Sequence, residues 1–546
     1  HLYPTRRRSV TIHTCERQLT DARGSAGTLM CVNRTIESGF ARVFGAQPSL
    51  PSAHLVTVEC DIVRGLHAFS IVGLPDKSVE EARDRIAAAI KNAGDELESP
   101  KRSNKKIVLS LAPAELKKEG AAFDVPLSLA FLLASEQIGF DPSGKLFAGE
   151  LALDGTVRPI RGTLGIALLA REHGITELYI PHENADEAGL VSGITIYPIR
   201  TLGEIISHLD REDAFSLTPF VPTPTSSSYT YDGISLSDIR GQESAKRGLE
   251  IAAAGRHNIA LFGPPGTGKT MLARAAAALL PNLTAEEIIE VTAIHSYAGA
   301  TQGAVTRPPF RAPHHTSSYA SLIGGGSIPR PGEVTLAHRG LLFLDEFPEF
   351  HRDVVNALRE PLEDAKVSVA RARGSATFPA NFMLVAALNP CPCGKYGTRD
   401  CRCMPAAVDR YKRKISGPVA DRIDLWVHVG EMPPESLALK HKQVDDQSAH
   451  VRKRIASARD LQRERFRERP HVSTNADMGP KEIEELAGLL SEAEETLMQA
   501  ARKMKLSARG YHRTIKLART IADLAASENI ESSHMLEALQ YRQREL

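Results

Sequence analysis

Net charge is almost absent from this sequence. Lys and Arg number 67 against 66 Asp and Glu, a formal +1 over 546 residues. A globally basic surface is thereby excluded, and any contact with nucleic acid has to come from local patches. Long apolar runs are missing too. The longest, around Val125 to Ala134, is too short to span a bilayer. The first residues are polar and Arg-rich (Arg6, Arg7, Arg8) and lack the apolar core of a signal peptide. A cytoplasmic protein without a membrane partner is expected. No internal repeat is visible. The chain begins with His1 rather than Met, and residues 1–30 form an N-terminal extension of uncertain role.

The residues that carry chemistry are concentrated in one region. Gly263, Pro264, Pro265, Gly266, Thr267, Gly268, Lys269 and Thr270 fit G-x-x-x-x-G-K-[ST], a phosphate-binding loop. An apolar strand (258–262) precedes it and an Ala/Leu-rich helix (271–280) follows. Glycines let backbone N–H groups close around phosphates, and the helix N-terminus adds its positive dipole end. Lys269 is suited to the β/γ-phosphates of ATP, and the Thr270 hydroxyl to Mg²⁺. Residues 340–347 read GLLFLDEF, a buried strand ending in Asp345 and Glu346. Asp345 is a magnesium ligand in this reading, and Glu346 polarises the attacking water. A second apolar strand (381–388) ends in Asn389, a residue able to sense the γ-phosphate. Arg422 has two readings, an arginine finger or a local ion pair with Asp421 or Asp424. Arg509, with Arg513 as its rival one turn later, could reach ATP from a helical lid.

The surrounding chain divides by composition. Residues 31–210 alternate strand-like and helix-like stretches, an α/β domain of mixed topology. Within them Thr201-x-x-Glu204 reads as a capping box. Residues 211–235 are a linker, rich in Pro, Ser and Thr over 215–228. Residues 236–440 hold the ATP motifs, and 441–546 read as charged amphipathic helices over 450–469, 482–504 and 513–526, with a last one near 534–543.

Two further stretches carry a resemblance. Residues 308–318 read PPFRAPHHTSS and 322–340 read LIGGGSIPRPGEVTLAHRG. Both resemble the magnesium-chelatase-like branch of the AAA+ ATPases, in particular the YifB/ComM family, and the likeness runs over nearly the whole chain. The resemblance implies an α/β fold with an AAA+ P-loop core and helical lid, assembled as a homo-oligomeric ring of six, with Arg422 acting on a neighbour's ATP. It implies a helix-2 insert at 294–312 and a pore-facing hairpin at 366–379. The hairpin's Lys366, Arg371 and Arg373 suit DNA phosphates, or else form a solvated face. It also implies a DNA branch-migration helicase of recombination and natural transformation. The alternative is a chelatase-type ATPase that remodels a protein partner.

The first domain resembles the Lon-protease proteolytic domain over 112–127 and 147–184. Against the Ser–Lys dyad of that family, this chain has Ala122 and Leu164. A methyl group is no nucleophile and an isobutyl group no base, so proteolysis is not expected. The basic run Lys101, Arg102, Lys105 and Lys106 fits either a DNA surface or a charged loop. Cys391, Cys393, Cys401 and Cys403 form C-x-C-x7-C-x-C, a thiolate set suited to tetrahedral Zn²⁺ or remaining as reduced thiols. His314 and His315 lack a third ligand nearby and read as loop-positioning residues.

Overall fold

The computed structural model describes residues 39–542 and two short strands at 11–14 and 32–35, except for 51, 95, 103–104, 211–214, 223–232, 302, 327–329, 372–373, 397–399, 416–418, 433–446 and 470. Arg6, Arg7, Arg8 and Arg373 therefore lie outside the described residues, and of Arg371 only the backbone is described. The chain forms two compact units, His1–Thr223 and Pro224–Leu546.

The first unit holds a four-stranded sheet in the order Phe40–Gln47, His54–Arg64, Lys105–Ala112, Ala68–Val72. The last pair is parallel and the others antiparallel. A second, parallel sheet joins Lys145–Phe147, Glu177–Pro181 and Thr195–Ile199. Helix Asp124–Ala134 is apolar all round and buried along almost its whole length, as expected of a helix enclosed by its domain. Its one acidic residue, Asp124, is buried and paired in bidentate fashion with Arg85 (2.8 and 2.9 Å). At Thr201 the cap forms one way: its side chain accepts from Glu204 N–H at 3.1 Å. The returning Glu204 carboxylate accepts instead from Arg200 N–H at 2.9 Å. Ala122 and Leu164 are both buried.

The second unit is built on five parallel strands in the order Phe310–Arg311, Leu341–Leu344, Met383–Leu388, Ile259–Phe262, Leu425–His428. The runs LLFL and MLVAAL are buried at every position. A parallel sheet covered on both faces requires this, and it explains why these strands read as unbroken apolar runs. The strand entering the phosphate loop lies between the strand of Asn389 and the last strand. This is the switch point of the topology, where an open α/β sheet leaves a crevice at its carboxyl edge.

Two expectations about local structure need correction. The segment 294–312 is not an insert. Its start completes helix Ala285–Ala298, capped by Gly299 at φ +71°, and its end contains the edge strand Phe310–Arg311. The helix following that strand is the interrupted one: Tyr319–Ile323, then an antiparallel pair Gly324–Gly325 with Arg330–Pro331, then Glu333–Leu336. Gly324, Gly325 and Gly326 have φ of +108°, +155° and +105°, which no side-chain-bearing helix residue adopts. Secondly, the predicted long helix over 482–504 is two helices, Pro480–Leu486 and Ser491–Met504, parted where Gly488 turns to φ +62°. The hairpin expected at 366–379 forms, with Lys366 opposite Pro379 and Arg371 opposite Gly374. Val367, Val369 and Phe378 are buried, while Lys366 is exposed.

Candidate nucleotide-hydrolysis site

Strand pairing assembles this site. Phe262 is paired with Leu388, so Gly263 and Asn389 leave the sheet side by side. Leu344 is paired with Ala386, which brings Asp345 to the same edge. Gly263 lies against the last strand: a Cβ there would stand 2.0 Å from the carbonyl oxygen of Val429. Gly266 and Gly268 are needed for another reason, their φ of +79° and +88°, since neither has a neighbour within 4 Å of an added Cβ. Helix Lys269–Leu279 begins where the loop ends.

The ammonium of Lys269 donates to the carbonyls of Gly263 (2.8 Å) and Pro264 (2.6 Å) and to Asn389 Oδ1 (3.1 Å). Burial pulls its pKa below the usual lysine value, opposed by the charge of Asp345. Thr270 Oγ1 donates to Asp345 Oδ2 at 2.9 Å. A hydroxyl and a carboxylate are thus paired beside the loop, a hard-oxygen set that fits Mg²⁺. Glu346 takes φ +51° immediately after Asp345, which turns it off the strand. Its backbone N–H donates to Asp345 Oδ1 at 3.0 Å.

One contact was not foreseen. His315 Nδ1 lies 3.2 Å from Glu346 Oε2. The sheet register accounts for it. Arg311 pairs with Leu342 in adjacent parallel strands, and His315 and Glu346 each follow four residues later. His314 instead meets Thr316 Oγ1 at 2.8 Å and lies against the His315 ring.

The two arginines converge on a carboxylate that sequence reading passed over. Arg422, largely buried at the end of the turn Ala420–Arg422, is ion-paired with Glu363. Arg509 Nη2 lies 3.1 Å from the other oxygen of Glu363. Both pairings lower the Glu363 pKa, Arg422 most through its hydrogen bond. Asp424, offered above as the local partner of Arg422, faces Arg513 at 3.6 Å. In the first unit, Lys101 is exposed and paired with Asp84 at 2.5 Å, and Lys105 and Lys106 are exposed.

The four cysteines come together. Sγ–Sγ separations are 3.4 Å for Cys391–Cys393, 3.9 Å for Cys391–Cys401 and 3.7 Å for Cys393–Cys401. All four ligand atoms, Cys403 included, lie within 4.8 Å of one another. Zn–S bonds of about 2.3 Å in a tetrahedron place sulfurs about 3.8 Å apart. Backbone N–H groups of Lys395 and Arg402 draw the Cys393 thiol down to about 6, while burial and hydrogen bonds to Cys391 and Cys393 push the Cys401 and Cys403 thiols up. The set fits a tetrahedral thiolate centre.

The sheet order, the loop and its Asp-Glu neighbour define a P-loop ATPase of the AAA+ class. Three family models match the chain: magnesium chelatase subunit ChlI over residues 235–437, subunit ChlI of Mg-chelatase over 58–184, and the ChlI C-terminal region over 445–542. Competence protein ComM of Haemophilus influenzae is 41% identical over 494 residues, 90% of this chain and 95% of the relative. YifB of Escherichia coli is 41% identical over 490 residues, 89% of this chain and 94% of the relative. Lon protease 2 of Bacillus subtilis is 33% identical over 142 residues, 24% of this chain and 26% of the relative. The chain belongs to the YifB/ComM family of magnesium-chelatase-like AAA+ ATPases. ATP and Mg²⁺ are the ligands this family implies. No helix among the described residues is long and apolar enough to cross a membrane.

Proposed function

We propose that the protein is an ATP-driven ring motor, working as a cytoplasmic homohexamer, that migrates DNA branches in recombination and natural transformation. The observation that carries the motor chemistry is the single sheet edge shared by Lys269, Thr270, Asp345, Glu346 and Asn389. The DNA reading draws on similarity to a competence protein and on the hairpin at 366–379, whose Lys366 is exposed.

Lys269 exchanges its carbonyl partners for the β/γ-phosphate oxygens of ATP, which are stronger acceptors. Thr270 and Asp345 are the residues that would hold Mg²⁺, which would supply positive charge against the phosphates. Glu346 accepts a proton from water aimed at the γ-phosphorus, and His315 orients its carboxylate. Asn389 bonds the γ-phosphate, Arg509 reaches it from the lid, and Arg422 reaches it from a neighbouring subunit. The developing charge is stabilised by fixed groups rather than by rearranging solvent. Lys366, Arg371 and Arg373 grip the DNA backbone. Cys391, Cys393, Cys401 and Cys403 would hold Zn²⁺ as a structural metal.

A branched-DNA unwinding assay with and without ATP tests the reading. Unwinding that requires ATP is expected, with ATPase stimulated by DNA. ATPase indifferent to every DNA tested, without DNA binding at low salt, would favour remodelling of a protein partner. The chelatase-subunit matches along the chain support that second reading.

A further inference from the structure

The cysteine centre is built against the phosphate loop. Gly394, the residue after Cys393, is buried at φ +76°. A Cβ there would stand 2.3 Å from Pro265 Cδ and 2.8 Å from Cγ. The knuckle backbone therefore lies directly on the ring of a phosphate-loop residue, with no space for a methyl group. Gly394 N–H donates to the carbonyl of Cys391 at 2.9 Å and closes the turn that makes this contact. Cys391 itself follows two residues after Asn389, whose side chain accepts from Lys269. Beyond Cys403, helix Pro405–Ile415 returns Tyr411 to the site, where its oxygen accepts from Asn389 N–H. Pro265, Asn389 and Tyr411 are thus all tied to the segment that the four sulfurs would close.

We propose that zinc at Cys391, Cys393, Cys401 and Cys403 sets the shape of the phosphate loop, so that metal occupancy and nucleotide affinity are coupled. The proposal rests on the zinc reading above and goes beyond a structural role. A metal joining Cys391 and Cys393 to Cys401 and Cys403 fixes the turn under Pro265 and the start of the Tyr411 helix together. Without it, the backing of the phosphate loop is free to shift. Linkage is reciprocal: if zinc tightens nucleotide binding, bound nucleotide retains zinc by the same factor.

The test uses the full chain in four forms: zinc-loaded, chelator-stripped, reloaded, and Gly394→Ala. Zinc content is measured by metal analysis, and affinity with a fluorescent non-hydrolysable ATP analogue. One zinc per chain is expected. Stripping should weaken nucleotide affinity about tenfold, a typical coupling, and reloading should restore it. Gly394→Ala leaves all four thiols in place, so it should keep its zinc while losing affinity by a comparable factor. Saturating analogue should slow zinc transfer to a chelator. One zinc per chain with affinity unchanged by stripping overturns the coupling and leaves the metal reading intact. Reduced protein that binds no zinc overturns both. If stripping unfolds the protein, Gly394→Ala decides, and wild-type affinity in that variant overturns the proposal.

Discussion

His315 Nδ1 stands 3.2 Å from Glu346 Oε2 at the exits of two adjacent parallel strands. The imidazole limits where the half-exposed carboxylate can point. His315→Ala should lower kcat about tenfold with little change in KM, since orientation of a base acts on the transition state rather than on binding. Steady-state ATPase kinetics check this. An unchanged kcat would return His315 to a loop-positioning role.

Glu346→Gln keeps the shape of the side chain and removes its basicity. ATP binding should persist while turnover falls by about a hundredfold or more, the usual share of a general base. Nucleotide-binding titration beside an ATPase assay separates the two effects. Normal turnover would sink the assignment of Glu346.

Arg422 in the trans role makes a different kind of prediction. Arg422→Ala and Glu346→Gln should each be inactive alone. Mixed and reassembled, they should recover part of the ATPase, because an Arg422→Ala subunit can still receive Arg422 from a Glu346→Gln neighbour. A mixture as inactive as its parents would mean that the arginine serves its own subunit, where Glu363 already holds it.

Asp424 ties the last strand to the first and to the lid. Burial alone would raise its pKa. The His257 ring 3.6 Å away, the charge of Arg513 and the N–H of Asn258 outweigh burial and hold it at about 2. The unfolded chain titrates near 3.9, so the charged form favours the fold by roughly 2–3 kcal/mol. That contribution is complete above the unfolded value and is lost as pH falls from about 4 to about 2. The stability gap between wild type and Asp424→Asn should therefore shrink over that window in denaturant unfolding. A constant gap would exclude this linkage.

What could be read in advance followed the range of each interaction. The phosphate loop, Asp345 and Glu346 are visible because their chemistry lies in contiguous residues. The buried strands are visible because a two-faced parallel sheet demands unbroken apolar runs. The cysteine cluster is visible because all four thiols fall between positions 391 and 403. The contact of His315 with Glu346 depends on which strands are neighbours and in what register, and a single sequence prints neither. Glu363 was hidden for the same reason: 59 positions separate it from Arg422 and 146 from Arg509. The misplaced insert is another case. Which helix is interrupted depends on where the edge strand falls, and Phe310–Arg311 is only two residues long, too short to announce itself as an apolar run.

The carbonyl of Val429 occupies the space that any side chain at position 263 would need. Moving it aside would detach the last strand from the loop, so no compensating change of rotamer exists, because the obstacle is backbone. In a library carrying all twenty residues at position 263, selected for ATP turnover, the surviving clones should encode glycine alone.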